Sequence, residues 1–369
     1  MAEARRLTHP LCGADLKTLI TVLARGGVGR RGLAQATIAL FSAVGRLPFT
    51  LSEWAYVEAR RGRQTPFPPP VFILGHWRSG TTHLYNLMAR DKQWGTVSPF
   101  AAGLPWEVLS LGRLCRPLLK KSLPEHRYID NVAVAEDSPQ EDEIALANMT
   151  PLSFYHALYF PRRFHEFFDA GVFFDGVPQA RIEGWQRCLS DLYLRLALDQ
   201  GGRRLVIKNP VYTARPALLR RMWPEAGFIH IHRNPYKVFV SMRNFWRALL
   251  REFALADYGH VDIDAVVFST YRRMMDAFLA QTKDWPENRL VELRFEDLQS
   301  DPVGQMGKVY DRLGLAGFDT AKPSFEAYLE KVKDYRKNTF ALPADLIARI
   351  EREWAPYIAR WDYAPPQAA

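Results

Sequence analysis

The sequence predicts an α/β fold: a P-loop-like three-layer α/β/α arrangement around a central parallel sheet, with an N-terminal helical arm. Three observations carry this. Short apolar runs alternate with segments of helical periodicity, the pattern of parallel strands joined by helices. One such run, Val71-Phe72-Ile73-Leu74, leads into a loop with two glycines and then a helical pattern. A stiff connector, Gln64-Thr65-Pro66-Phe67-Pro68-Pro69-Pro70, sets this core apart from what precedes it. The expected division is residues 1–66 as the arm and 67–369 as the α/β domain, the two forming one structural unit.

In the arm, residues 7–62 read as helices. Leu16, Leu19, Ile20 and Leu23 share one face, as do Ile38, Leu40, Phe41, Val44 and Leu47, with breaks expected at Gly26-Gly27 and Arg46-Leu47-Pro48. After the loop helix comes an irregular stretch with a helical piece near Trp106–Leu119. Ser138-Pro139-Gln140-Glu141 reads as a helix start, with Ser as N-cap and Glu as its capping-box partner. Aromatic residues then cluster from Phe154 to Phe174, readable as the wall of an acceptor pocket or as ordinary core. Helices at 183–198, 215–222, 265–281 and 302–313 alternate with strands at 203–208, 228–232 and 290–295.

Composition bounds the rest. The 369 residues are 48% hydrophobic and 24% charged, a globular balance. Three cysteines, Cys12, Cys115 and Cys188, are scattered without metal spacing, which fits a reducing compartment. Net charge is +9, and residues 1–63 hold ten Arg/Lys against four acids. A basic amphipathic segment of this kind suits peripheral contact with an anionic membrane; a solvated helical face is the competing reading. No nucleic-acid module is recognisable. No signal peptide is evident, and the run Ala34–Val44 falls short of the ~20 apolar residues a bilayer span needs. A cytoplasmic protein is expected, with membrane association through the arm left open.

The chemistry concentrates in Gly75-His76-Trp77-Arg78-Ser79-Gly80-Thr81-Thr82. Strand, glycine loop and helix shape a backbone for phosphate: N–H groups converge and the helix N-terminus adds partial positive charge. Gly75 and Gly80 have the spacing of a nucleoside-triphosphate loop, but Thr81 stands where its lysine belongs. A different anion is implied, with Arg78 supplying the charge. A second apolar strand, Gly227–His232, ends in Arg233, and Pro235 opens a helix carrying Ser241. Arg233 and Ser241 can flank one phosphate.

Together these stretches resemble the PAPS-dependent sulfotransferases, closest to the bacterial type with a G-H-W-R-S-G-T-T-H-L loop. Lys208-Asn209-Pro210 after a strand, Phe295-Glu296-Asp297-Leu298 and Asp301-Pro302 extend the match over roughly residues 70–340. The resemblance implies that Arg78, Ser79, Gly80, Thr81 and Thr82 hold the 5′-phosphosulfate of 3′-phosphoadenosine 5′-phosphosulfate (PAPS). It implies Arg233 and Ser241 at the 3′-phosphate, and His83 and Phe295 at the adenine. Arg336 and Lys337 resemble a basic segment that closes over the 3′-phosphate, or are a solvated charge run. Lys208 looks like the lysine on the leaving-group side. PAP would be the product, and no metal is implied.

The general base does not carry over. Pro210 stands where cytosolic-type relatives have His, and Ser98 or Pro99 where carbohydrate-type relatives have Glu. The acidic cluster Asp137, Glu141, Asp142 and Glu143 is the substitute, with Glu141 and Asp142 foremost; His156 is a second option. The acceptor hydroxyl or amine belongs to a small molecule, a lipid or a carbohydrate. A small-molecule kinase and a non-catalytic nucleotide-binding homologue are the alternative readings. Oligomeric state is not encoded legibly.

Overall fold

The computed structural model describes residues 8–61, 67–114, 138–333 and 342–366. Cys115, Asp137, Arg336 and Lys337, together with residues 115–119 of the helical piece expected near 106–119, lie outside them; within the described part Leu111–Leu114 is helical. The chain forms two compact units. One comprises residues 1–68, 95–205 and 247–261; the other comprises 69–94, 206–246 and 262–369.

The sheet has five strands: β1 (Val71–Leu74), β2 (Trp94–Gly95), β3 (Arg204–Lys208), β4 (Gly227–His232) and β5 (Leu290–Arg294). Their order is β2-β3-β1-β4-β5, and the β1–β3, β1–β4 and β4–β5 pairings are all parallel. Residues 71–74 are buried on both faces, as strands covered from both sides must be. Val71, Ile73, Ile229, Ile231 and Leu293 pack with α3 (Thr81–Met88) and the helices Pro302–Arg312 and Phe318–Val332. On the opposite face Phe72 stacks on Phe228 at 5.3 Å, and His230 lies on Phe278 of helix Ile263–Thr282 at 3.8 Å. That sandwich fixes where each strand ends, and hence where the loop, Lys208 and Arg233 stand.

The first unit is helical. α1 (Leu16–Gly26) is capped by Asp15, which accepts from the Thr18 N–H, and it stops at Gly27 with φ 70°. Its buried face is Thr18, Leu19 and Val22, and Ile20 is exposed, contrary to the sequence expectation. The expected break at Pro48 is absent: α2 runs unbroken from Leu33 to Arg60. Pro48 removes one helical hydrogen bond, but it and Val44 lie on the exposed side, where solvent can satisfy the freed carbonyl.

The buried face of α2 also differs from expectation. It consists of Gln35, Ala36, Ala39, Ala43, Arg46, Glu53 and Val57, while Phe41 and Val44 face outward. Polar pairing explains the inversion. Arg46 donates to Glu107 Oε2 at 2.6 Å and to the carbonyls of Cys12 and Ala14. Glu53 accepts from the N–H groups of Leu109 and Ser110 and from the Ser110 hydroxyl, with the Arg195 guanidinium 3.5 Å away. Burial pushes both carboxyls upward, and the arginines and hydroxyl donors oppose it.

The capping box expected at Ser138 is not formed. The helix begins at Asp142 with Glu141 as N-cap, because the Gln140 N–H is drawn to the Val97 carbonyl and holds the preceding residues extended. The aromatic cluster is core: Phe154, Tyr159, Phe160, Phe164, Phe167 and Phe168 are buried, with Phe164 and Phe168 stacked at 5.4 Å. Its six residues pack upon one another, the ordinary alternative to a pocket wall.

Candidate active site

The loop after β1 is built on three left-handed backbones: Gly75 (φ 143°), Arg78 (φ 69°) and Gly80 (φ 101°). At Gly75 a Cβ would meet the Ile231 carbonyl at 2.4 Å; at Gly80 it would meet the Phe295 ring at 2.1 Å. Both glycines are therefore required by close approach as well as by φ. The Gly75 N–H donates to Thr213 Oγ1 at 2.7 Å, and the Ser79 N–H donates to the His76 carbonyl at 3.1 Å. His76 Nδ1 lies 2.9 Å from the Trp77 carbonyl, so it carries the proton and the ring is neutral; burial depresses its pKa to about 4. α3 starts at Thr81, and its first-turn N–H groups have no intrahelical acceptor.

The second unit brings most of the sequence-predicted residues together around this loop. Arg78 Nε donates to Ser241 Oγ at 2.8 Å. Arg233 donates to the Arg78 carbonyl at 3.2 Å, and its guanidinium lies 4.5 Å from the Phe295 ring centroid. Lys208, almost wholly buried at the end of β3, reaches Thr82 Oγ1 at 3.4 Å. Residues separated by up to 217 positions in sequence thus meet on one loop: Lys208 at Thr82, and Ser241 and Arg233 at Arg78, with Arg233 also against Phe295. Ser79 and Thr81 are buried within the loop, while Gly80, Thr82 and His83 are half-buried.

Electrostatically this is a cationic, donor-rich corner. Three cations, two hydroxyls, a helix N-terminus and an aromatic face converge where the parallel strands end. Such a corner suits a polyanionic ligand carrying a flat ring.

Glu141 and Asp142 belong to the first unit. Asp142 is fully buried and accepts from the Tyr193 hydroxyl at 2.8 Å. His156 is fully buried, donates from Nε2 to the Ala147 carbonyl at 2.9 Å, and is held neutral with its pKa lowered to about 4 by burial. His230 and His232 are packing residues, against Phe278 and Trp361 respectively.

Two supports escaped sequence reading. Thr213 anchors Gly75 from the 3₁₀ turn Pro210–Ala214, and Asn209 caps that turn by accepting from the Val211 N–H. The Lys-Asn-Pro triplet was the available signal. Near the C-terminus, Tyr363 donates to Glu296, bonds His232 Nδ1 at 2.8 Å, and Ala364 accepts from Asn234. This strap holds the residues on either side of Arg233; no motif announces it.

Comparison with known proteins follows the same line. The Sulfotransferase family model matches residues 69–320. The omega-hydroxy-beta-dihydromenaquinone-9 sulfotransferases Stf3 of Mycobacterium bovis and Mycobacterium tuberculosis are each 31% identical over 298 residues, which is 80% of this chain and 75% of theirs. The structure of the sulfotransferase STF1 of Mycobacterium tuberculosis superposes with a TM-score of 0.65 at 18% identity, covering 92% of this chain and 91% of that one. STF9 of Mycobacterium avium gives 0.67 at 17% identity, covering 96% and 98%. At those identities the likeness is one of fold.

Proposed function

Since this chain belongs to the sulfotransferase family, we propose that it transfers a sulfuryl group from PAPS to the hydroxyl of an apolar, lipid-like acceptor, releasing PAP. The observation that carries this is that Arg233 and Ser241 contact Arg78 while Lys208 contacts Thr82 on the same loop.

The residues present suit such a donor. Gly75 and Gly80 let the loop turn tightly against the Ile231 carbonyl and the Phe295 ring, and two cationic side chains, Arg78 and Arg233, suit two phosphorylated ends. When bound, PAPS supplies an activated sulfuryl group on a phosphate leaving group. Arg78 and the N–H groups of the first turn of α3 hold the phosphosulfate. Lys208, fixed beside Thr82, neutralises charge that develops on the leaving-group oxygen. Arg233 and Ser241 would take the 3′-phosphate, and Phe295 would supply an aromatic surface to the adenine. Desolvation of Lys208 by its strand and loop strengthens the attraction to an anion. The acceptor hydroxyl must lose its proton to a base that none of these residues supplies.

The acceptor class rests on the Stf3 relatives, whose name describes a hydroxylated menaquinone derivative. An acceptor of that kind resides in a bilayer, which the enzyme approaches through its N-terminal arm.

Thermal-shift titration with PAP, AMP, and ATP with and without Mg²⁺ tests the donor. PAP is expected to stabilise strongly without metal and AMP weakly. A larger shift with ATP–Mg²⁺ would remove the PAPS reading. With labelled PAPS, transfer to an ω-hydroxylated isoprenoid quinone in preference to sugars and simple phenols is expected; the reverse preference would remove the lipid acceptor.

A further inference from the structure

The arm helix α2 is built inside out. Its charged side chains Arg46 and Glu53 are buried and paired, whereas its outward face is apolar. Phe41 is 75% exposed, Leu51 56%, Leu33 55%, Val44 54% and Trp54 51%. Leu33, Phe41, Val44, Pro48 and Leu51 recur at helical spacing, so they form one continuous stripe rather than scattered contacts. From Leu33 to Leu51 that stripe is about 27 Å long. No charged residue occurs between Arg31 and Glu53 except the buried Arg46. Isolated exposed apolar residues are commonplace, but a contiguous stripe of this size marks a contact surface.

The flanks identify the occupant. Arg30 and Arg31 are exposed just before α2. At its far end Arg60 stacks on Tyr56 at 3.5 Å, and Arg61 is exposed beside Glu58 and Asp191. An apolar stripe with Trp54 and Tyr56 at one end and exposed Arg30 and Arg31 at the other suits an anionic bilayer surface, acyl chains beneath phosphate headgroups. A second copy packed parallel fits less well, because it brings the two Arg30–Arg31 ends together. Among the described residues no helix is long and apolar enough to cross a membrane, so the stripe would lie in the interface plane.

We propose that the outward face of α2 docks on an anionic lipid surface, with Phe41, Val44 and Leu51 inserted among the acyl chains and Arg30 and Arg31 at the headgroup phosphates. The docking stands on α2 alone and needs neither the donor nor the acceptor. It gives the face a definite depth: Phe41 and Leu51 below the headgroups, Trp54 at their level. Substitution rather than deletion is the right probe, because Ala39, Ala43, Arg46 and Val57 of the same helix build the core of its unit.

The experiment is flotation of the full-length protein with phosphatidylcholine vesicles, with and without phosphatidylglycerol. Wild type is expected to float with the anionic vesicles and to be released by raised salt. The triple variant F41S/V44S/L51S is expected to lose partitioning by about tenfold or more, with unchanged melting temperature and unchanged mass by light scattering. As a second probe, brominated lipids are expected to quench wild-type fluorescence more than that of Trp54→Phe. Failure of wild type to float, equal flotation of the triple variant, or quenching that ignores Trp54 overturns the proposal. So does a triple variant that changes oligomeric mass while keeping its vesicle binding, since the face would then meet another copy.

Discussion

At the scale of single residues, Arg233 and Lys208 carry separable expectations. Arg233 follows β4, contacts the loop through the Arg78 carbonyl and lies over Phe295. Removing a charge-assisted contact of this kind costs about 1.5–3 kcal/mol, so Arg233→Ala should weaken PAP binding by roughly 10- to 100-fold. AMP, which lacks the 3′-phosphate, should be little affected; calorimetric titration of both distinguishes the outcomes, and equal losses would remove the 3′-phosphate role. Lys208→Ala should instead lower kcat by about 100-fold or more while PAP binding changes less, read from steady-state kinetics beside a PAP titration. A loss confined to KM would assign Lys208 to ground-state binding. These residues were legible in sequence because Lys208 closes a strand and Arg233 directly follows one. The base was not, because Asp142 and His156 both look available in sequence and only the fold shows that each is fully buried.

At the scale of elements, two features decide local stability. The β1–α3 turn depends on Gly80, whose φ of 101° and contact with Phe295 leave no place for a side chain. Gly80→Ala should destabilise by about 1–3 kcal/mol and weaken PAP binding with it; an unchanged melting temperature would mean that the loop relaxes freely. In α2 the decisive element is the buried Arg46–Glu107 pair. Arg46→Met strands a buried carboxylate and should cost about 3–5 kcal/mol in urea unfolding, while the double variant with Glu107→Met should recover much of it. Failure of the double variant to recover stability would make Arg46's bonds to the Cys12 and Ala14 carbonyls the dominant contribution. Periodicity named the helix correctly and chose the wrong face, since apolar spacing carries no information about which charges have buried partners 56 to 142 residues away.

At the scale of the whole molecule, buried histidines set the acid limit. Burial holds His76 and His156 near a pKa of about 4, and burial followed by the neighbouring His230 holds His232 at about 3. Their unfolded value is about 6.5. Between these limits the unfolded chain binds more protons than the native one, so stability rises with pH. Full stability is expected above about pH 6.5, with a progressive loss as pH falls toward 4 and below. Melting temperature measured against pH checks this, and His156→Gln should flatten the slope. A profile with no acid loss across that window would mean the three rings are solvated in the native state.

What the sequence determined by itself is the local and the periodic: the α/β class, four of the five strands, the glycine loop without its lysine, and the cations at or just after strand ends. Those follow from residue spacing and backbone freedom, which are properties of a few adjacent residues. The tertiary structure alone decided which side of α2 faces inward, that the Phe154–Phe168 aromatics are core, that Asp142 is spent on Tyr193, and that Tyr363 straps the segment around Arg233. Each of these turns on burial and on a partner distant in sequence. The cost of burying a charge depends on where its partner lies after folding, which no local pattern records.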